Sequence, residues 1–297
     1  MIGSQCINIT QTLKNSKMIE MGNVTLSGGW FKMGTDDGPH LEDGEGPVRN
    51  IWLNPFKISK TAVSNKEFKE FIGATGYKTV AEEIGTSFVF FKFLKDPDQY
   101  ESSNLSPIWR SVPNASWSSP EGAKSNFLKR LDHPVVHISI RDALAFCEWK
   151  NCRLLTEAEW EYSARGGKVG KKYPWGSSLK LNDQKMANTW EGDFPNGKYD
   201  GFKDWGTVDI FSYQPNKFGL YNMIGNVWEL VADRFEKTHS PRDQRNPKGP
   251  LNGEFIVARG GSYLCHDSYC ARYRNSSRQA VKFNTTTGNI GFRIAFD

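Results

Sequence analysis

Apolar and polar positions alternate through VTLSGGWFKMG until the run breaks on DDGPHLEDGEGP, an acidic, turn-rich stretch; this predicts a strand followed by an excursion. IWLNPFKISK predicts the returning strand. In SNKEFKEFIGATG, Ser64 stands three residues before Glu67, a capping box, with Phe68, Phe71 and Ile72 on one face and Gly76 as the stop, so a short amphipathic helix is expected. Residues 94–127 show no period and predict a long surface loop pinned by Trp109 and Trp117. HPVVHIS alternates like a strand, the S-x-x-D of SIRDALAFCEWKN opens a second helix, and Thr156 with Glu159 caps a third that Gly166 closes. Beyond Lys168, turn residues and aromatics dominate, with strand-like runs at FGLYNMI, EFIVARGGSY and NIGFRIAF. No linker or internal repeat divides the chain, which predicts a polar N-terminal segment over 1–22 and one domain over 23–297.

Composition sharpens this picture. A chain of 297 residues with 38% hydrophobic and 13% aromatic content can bury a core, while ten Trp, 28 Gly and 14 Pro favour irregular, loop-rich structure fixed by large rings. The net charge of +5 is spread along the chain, so nothing suggests a nucleic-acid partner. No apolar run reaches the roughly eighteen residues of a membrane span, and the first residues are too polar for a signal peptide. N-x-S/T triplets at Asn8, Asn23, Asn114, Asn275 and Asn284 nevertheless favour a secretory route. The five cysteines, an odd number, leave at least one thiol unpaired within the chain.

Candidate chemistry centres on Cys265 and Cys270. Their spacing suits a small disulfide loop, two unrelated thiols, or two thiolates for a soft metal ion; zinc fits poorly, since a closed site normally needs four ligands and no C-x-x-C partner exists here. His133 and His137 lack a third ligand and read as structural. Asn222 and Glu229 in NMIGNVWE, with Asn188 and Asp200 further upstream, supply oxygen atoms of the kind calcium takes, in stretches that also read as ordinary turns. No phosphate-binding, dinucleotide or nucleophile-elbow motif appears.

The motifs GGWFKMGTDD, AVSNKEFKEFIGATGY, DHPVVHIS, RLLTEAEWEYSARGG, YPWG, GLYNMIGNVWE, RGGSYLCHDSYCARYR and NIGFR together resemble the formylglycine-generating enzymes, or sulfatase-modifying factors, over nearly the whole chain. The resemblance implies an α+β fold, a single loop-rich domain with low regular secondary structure, related to C-type lectin-like domains. It implies an O₂-dependent oxidoreductase that converts the cysteine of a C-x-P-x-R motif in unfolded sulfatase polypeptides to Cα-formylglycine. Cys265 and Cys270 would bind copper(I), with Trp228, Ser262, Tyr269 and Asn289 lining the pocket. Two structural calcium sites are implied, one from Asn188, Thr189, Asp200 and Phe202, the other from Asn222, Gly225, Val227 and Glu229. Residence in the endoplasmic reticulum lumen, as a glycoprotein, is implied too.

The sequence also departs from the family's animal members. Ile294 stands where a partner for Cys147 would be, and Ala164 and Asn275 replace another pair, so those two bridges should be absent. A catalytically silent, calcium-stabilised module that binds sulfatases or glycans is the alternative reading.

Overall fold

The computed structural model describes residues 22–104, 106–196, 206–239 and 244–297; the N-terminal segment expected over 1–22 lies almost wholly outside them. Helices α1 (Asn65–Thr75), α2 (Val80–Ile84), α3 (Ile140–Lys150) and α4 (Glu157–Arg165) each begin at a complete capping box, in which a Ser or Thr hydroxyl takes an amide of the first turn and an acidic side chain returns to the cap. The three predicted helices are thus present. The fourth, α2, carries the same signal in Thr79 and Glu82, overlooked because only one turn of apolar periodicity follows it.

Among the described residues, four small sheets and a two-stranded ribbon carry the rest. One four-stranded sheet orders Asn23–Leu26, Phe56–Ser59, Ile294–Phe296 and Arg153–Leu154, so the chain's last strand lies between early ones. The other orders Arg278–Lys282, Phe255–Arg259, Trp228–Arg234 and Ile290–Phe292, the last pair parallel. Phe68, Phe71, Phe146 and Phe292 pack mostly edge to face in the main core, beside the fully buried Trp160. No helix among the described residues is long and apolar enough to cross a membrane.

Three expectations need correction. HPVVHIS forms no strand: residues 134 to 140 are all buried, His137 is left-handed (φ 61°), and the amides of Val135 and His137 go to different segments, Val63 and Thr287. FGLYNMI is a turn, because Asn216 closes back on Leu220 and Asn222 takes φ 48°; the strand starts at Trp228. The stretch 94–127 contains a strand, Ser106–Pro113, paired with Thr86–Phe90, and Trp117 is a core residue.

Charge is buried deeply and in pairs. Arg259 binds Glu157 and Glu161, Arg278 binds Glu157 through two nitrogens, and Arg165 returns to Glu161. Burial opposes ionisation of Glu157, yet Arg278 and Arg259 more than offset it and hold its pKa at about 2. Glu157→Gln leaves the buried Arg278 without its carboxylate and Arg259 with Glu161 alone, and is expected to cost about 3–5 kcal/mol in chemical denaturation, well above the ~1 kcal/mol of a surface pair.

Burial also keeps the His137 imidazole neutral, lowering its pKa from 6.5 to about 3, with Nδ1 2.7 Å from the Ser87 hydroxyl. The unfolded chain takes up this proton and the folded chain does not, so the contribution is complete above about pH 6.5 and lost as pH falls toward 3. Asp233 acts oppositely: burial, then the Glu157 charge, raise it to about 7, so its contribution weakens as pH rises to that value. Between about pH 7 and about pH 4, urea unfolding should show the native chain losing about 3 kcal/mol relative to His137→Gln, the Asp233 effect cancelling in the comparison.

Candidate functional site

The strand Phe255–Arg259 ends at two left-handed glycines that turn the chain into the cysteine loop. A Cβ on Gly260 would lie 2.8 Å from the Met223 carbonyl, and one on Gly261 3.0 Å from the Arg272 carbonyl, so neither position accepts a side chain. The loop then closes on itself. The Cys265 amide donates to the Ser262 carbonyl at 2.9 Å, and the amides of Tyr269, Cys270 and Ala271 all converge on the His266 carbonyl at 3.0 Å.

These turns bring Cys265 and Cys270 to a Cα separation of 5.4 Å with their sulfurs joined as a disulfide. Both are buried, at 2% and 8% exposure. The Ser262 amide donates to Cys265 Sγ at 3.4 Å, a contact that favours negative charge on that sulfur once the bridge is open. Once the bridge is reduced, two thiolates on one short loop are a donor set suited to a soft monovalent ion, so the residues fit copper(I).

Ser262 anchors a short relay. Its hydroxyl oxygen accepts from Asn289 Nδ2 at 2.9 Å and from the Leu264 amide at 3.3 Å, which occupies both lone pairs and leaves the O–H proton to donate. Thr287 in turn donates to Asn289 Oδ1 at 2.6 Å, fixing which end of the amide faces Ser262. The Trp228 amide donates to the Asn289 carbonyl, so the buried Trp228 is tied to the same segment. Tyr269 is 43% exposed and stacks on Phe194, centroids 4.4 Å apart, with His266 parallel to the same ring. The structure therefore gathers Cys265, Cys270, Ser262, Asn289, Trp228 and Tyr269 around one loop. It adds Thr287 and Phe194, which sequence reasoning missed: Thr287 sits in a plain Thr run, and nothing local marks Phe194.

Asp267 accepts from the Tyr273 hydroxyl, whose pKa burial and then this carboxylate push upward. Ion pairs hold the rest of the loop: Arg272 to Asp43 at 2.6 Å, and Arg274 to Glu45 through two nitrogens. Asn275 is fully buried, its Nδ2 donating to the Lys171 carbonyl.

The oxygen-rich stretches adjoin the loop: the Trp190 amide donates to the Cys265 carbonyl, and the Tyr263 amide to the Asn226 carbonyl. Asn188 Nδ2 donates to the Gly206 carbonyl and to Asn226 Oδ1, the Thr189 carbonyl accepts from Lys185, and Asp200 and Phe202 lie outside the described residues. Gly225, at φ 76°, passes so close that a Cβ would lie 2.4 Å from the Asn188 carbonyl. Asn222 Oδ1 is buried without a partner, as expected of an atom that could face a cation. The Glu229 carboxylate instead accepts from Trp160 Nε1 and from Nε and Nη2 of the fully buried Arg293, so its side chain is already committed.

The model of the sulfatase-modifying factor enzyme 1-like domain matches residues 10–297. The formylglycine-generating enzyme of Bos taurus is 44% identical over 279 residues, 92% of this chain and 74% of the relative. That of Thermomonospora curvata is 43% identical over 293 residues, 96% of each. The inactive C-alpha-formylglycine-generating enzyme 2 of Mus musculus is 40% identical over 279 residues, covering 92% and 84%. Among solved structures, PvdO from Pseudomonas aeruginosa shares the fold, with TM-score 0.65 at 23% identity over 92% of this chain and 93% of its own. With a match that spans nearly its whole length, around a loop that joins two buried cysteines, the chain belongs to the sulfatase-modifying factor enzyme 1-like family.

Proposed function

We propose that this chain generates formylglycine: it oxidises the cysteine of a C-x-P-x-R motif in unfolded sulfatase polypeptides, with copper(I) at Cys265 and Cys270 and dioxygen as electron acceptor. The observation that carries the reading is the pairing of Cys265 and Cys270 on a rigid loop beside the Ser262–Asn289 relay. In the overall chemistry, the substrate CH₂–SH loses two electrons and two protons to become a thioaldehyde, and water then replaces sulfur to leave the aldehyde and hydrogen sulfide. A copper(I) ion held by the two sulfurs would supply a thiophilic centre for the substrate sulfur and a route for electrons to dioxygen.

The chain's own groups have distinct tasks. The Ser262 amide stabilises charge on Cys265, and the Ser262 hydroxyl, its acceptor sites taken, keeps its proton free to donate. Thr287 and Asn289 position that hydroxyl. The Phe194–Tyr269 stack offers an exposed aromatic shelf for the substrate's apolar residues. Calcium is proposed as a brace at the Asn222 loop, where the unpartnered Oδ1 supports it, and at the Asn188 loop by resemblance. Residence in the endoplasmic reticulum lumen is proposed on relatedness together with the exposed N-x-S/T triplets at Asn23, Asn114 and Asn284.

Copper(I)-loaded protein mixed in air with a synthetic C-x-P-x-R peptide is expected to yield an aldehyde captured by a hydrazide probe, with Cys265→Ser and Cys270→Ser each abolishing it. No aldehyde from folded, loaded protein would overturn the oxidase. Calcium-dependent sulfatase binding that survives both substitutions, without product, would support the silent module instead. Thr287→Val should lower kcat roughly tenfold with little change in KM, as expected for one lost positioning hydrogen bond, and Thr287→Ser should restore it.

A further inference from the structure

A second cysteine pair lies outside this site. Helix α3 ends in a Schellman turn: Asn151 is left-handed at φ 52°, its amide reaches the carbonyls of Cys147 and Glu148, and the Cys152 amide closes back on the Cys147 carbonyl at 3.0 Å. Such a turn brings together the side chains of the two residues it joins. Here both are cysteines, near enough for each thiol to shift the ionisation of the other. They have the same sequence spacing as Cys265 and Cys270, yet both are free. Cys147 is buried in the main core at 3% exposure, whereas Cys152 is half-buried and reachable from solvent.

We propose that Cys147 and Cys152 are a second oxidisable dithiol, which reacts with small-molecule disulfides to close an intrachain bridge across the end of α3. The order of events follows from the surroundings. The neighbouring Cys147 thiol and the Lys150 ammonium lower the pKa of Cys152. Cys147 is raised by the neighbouring Cys152 and by burial. Cys152, as thiolate, attacks one sulfur of the incoming disulfide; that S–S bond breaks and one thiolate leaves. Cys147 then gives up its proton and attacks the Cys152 sulfur of the mixed disulfide, expelling the second thiolate. Two protein thiols become one disulfide, the small disulfide is reduced to two thiols, and those take the two protons.

The proposal is independent of the copper reading and is tested without turnover. The full chain is equilibrated with glutathione disulfide, free thiols are alkylated under native conditions and again after unfolding, and tryptic peptides are weighed. Cleavage after Lys150 separates the two cysteines, so the expected species is peptide 142–150 joined to tripeptide 151–153, lost on reduction and absent from Cys152→Ser. In untreated protein, native alkylation should modify Cys152 at least about tenfold faster than Cys147. Recovery of the two peptides separately alkylated, or each carrying glutathione, from folded protein at equilibrium would overturn the bridge. Equal alkylation rates would overturn the assignment of Cys152 as the attacking thiol.

Discussion

The loop that carries Cys265 and Cys270 contains no regular element; what fixes it is charge buried against charge. Arg259 enters the loop and Arg278 leaves it, and both end on the Glu157 carboxylate at the start of α4. Arg274 and Arg272 fasten the loop's second half to Glu45 and Asp43 on the early excursion. Taking such charges out of water is costly, and the cost is recovered only when every partner is in place. The result is an all-or-none arrangement, in which segments far apart in sequence must be assembled together before the cysteine loop has a shape.

This explains which parts of the structure could be read directly and which could not. Capping boxes are local, so Ser64, Ser139 and Thr156 mark their helices correctly, and Thr79 would have done so had its short helix been trusted. Asn23–Leu26 and Phe56–Ser59 alternate in burial, but Trp228–Arg234, Phe255–Arg259 and Ile290–Phe292 are mostly buried, so period-two alternation fails there. VVHI is buried on every side and belongs to no ladder, while WELVADR is a strand although Glu229, Asp233 and Arg234 interrupt its apolar residues without strict alternation. Both cysteines of the central loop were legible through their surrounding block. Thr287, Phe194 and the carboxylate partners of the buried arginines were not, because each acts through a contact across a long sequence distance.

Side-chain amides take over much of the work that regular hydrogen bonding does elsewhere. Asn226 holds both the Val208 amide and the Val208 carbonyl, Asn216 bridges to the end of α4, and Asn289 reaches Ser262. Asn tolerates left-handed backbone, as at Asn222 and Asn226, so one residue type both turns the chain and satisfies the groups the turn exposes. The oxygen-rich stretches beside the cysteine loop are built this way: amide nitrogens brace them, and the Asn222 Oδ1 oxygen is left without a partner.

The burial of Asn275 bears on how the chain can be made. Its N-x-S triplet is available to a glycan-transferring enzyme only while the polypeptide is still extended, and once the native packing forms the amide is sealed against Lys171. An oligosaccharide attached there would leave no room for the neighbouring Arg274–Glu45 clamp to close. In a lumen that glycosylates nascent chains, maturation becomes a race that folding must win, and the yield of native protein depends on the host's transferase as well as on sequence.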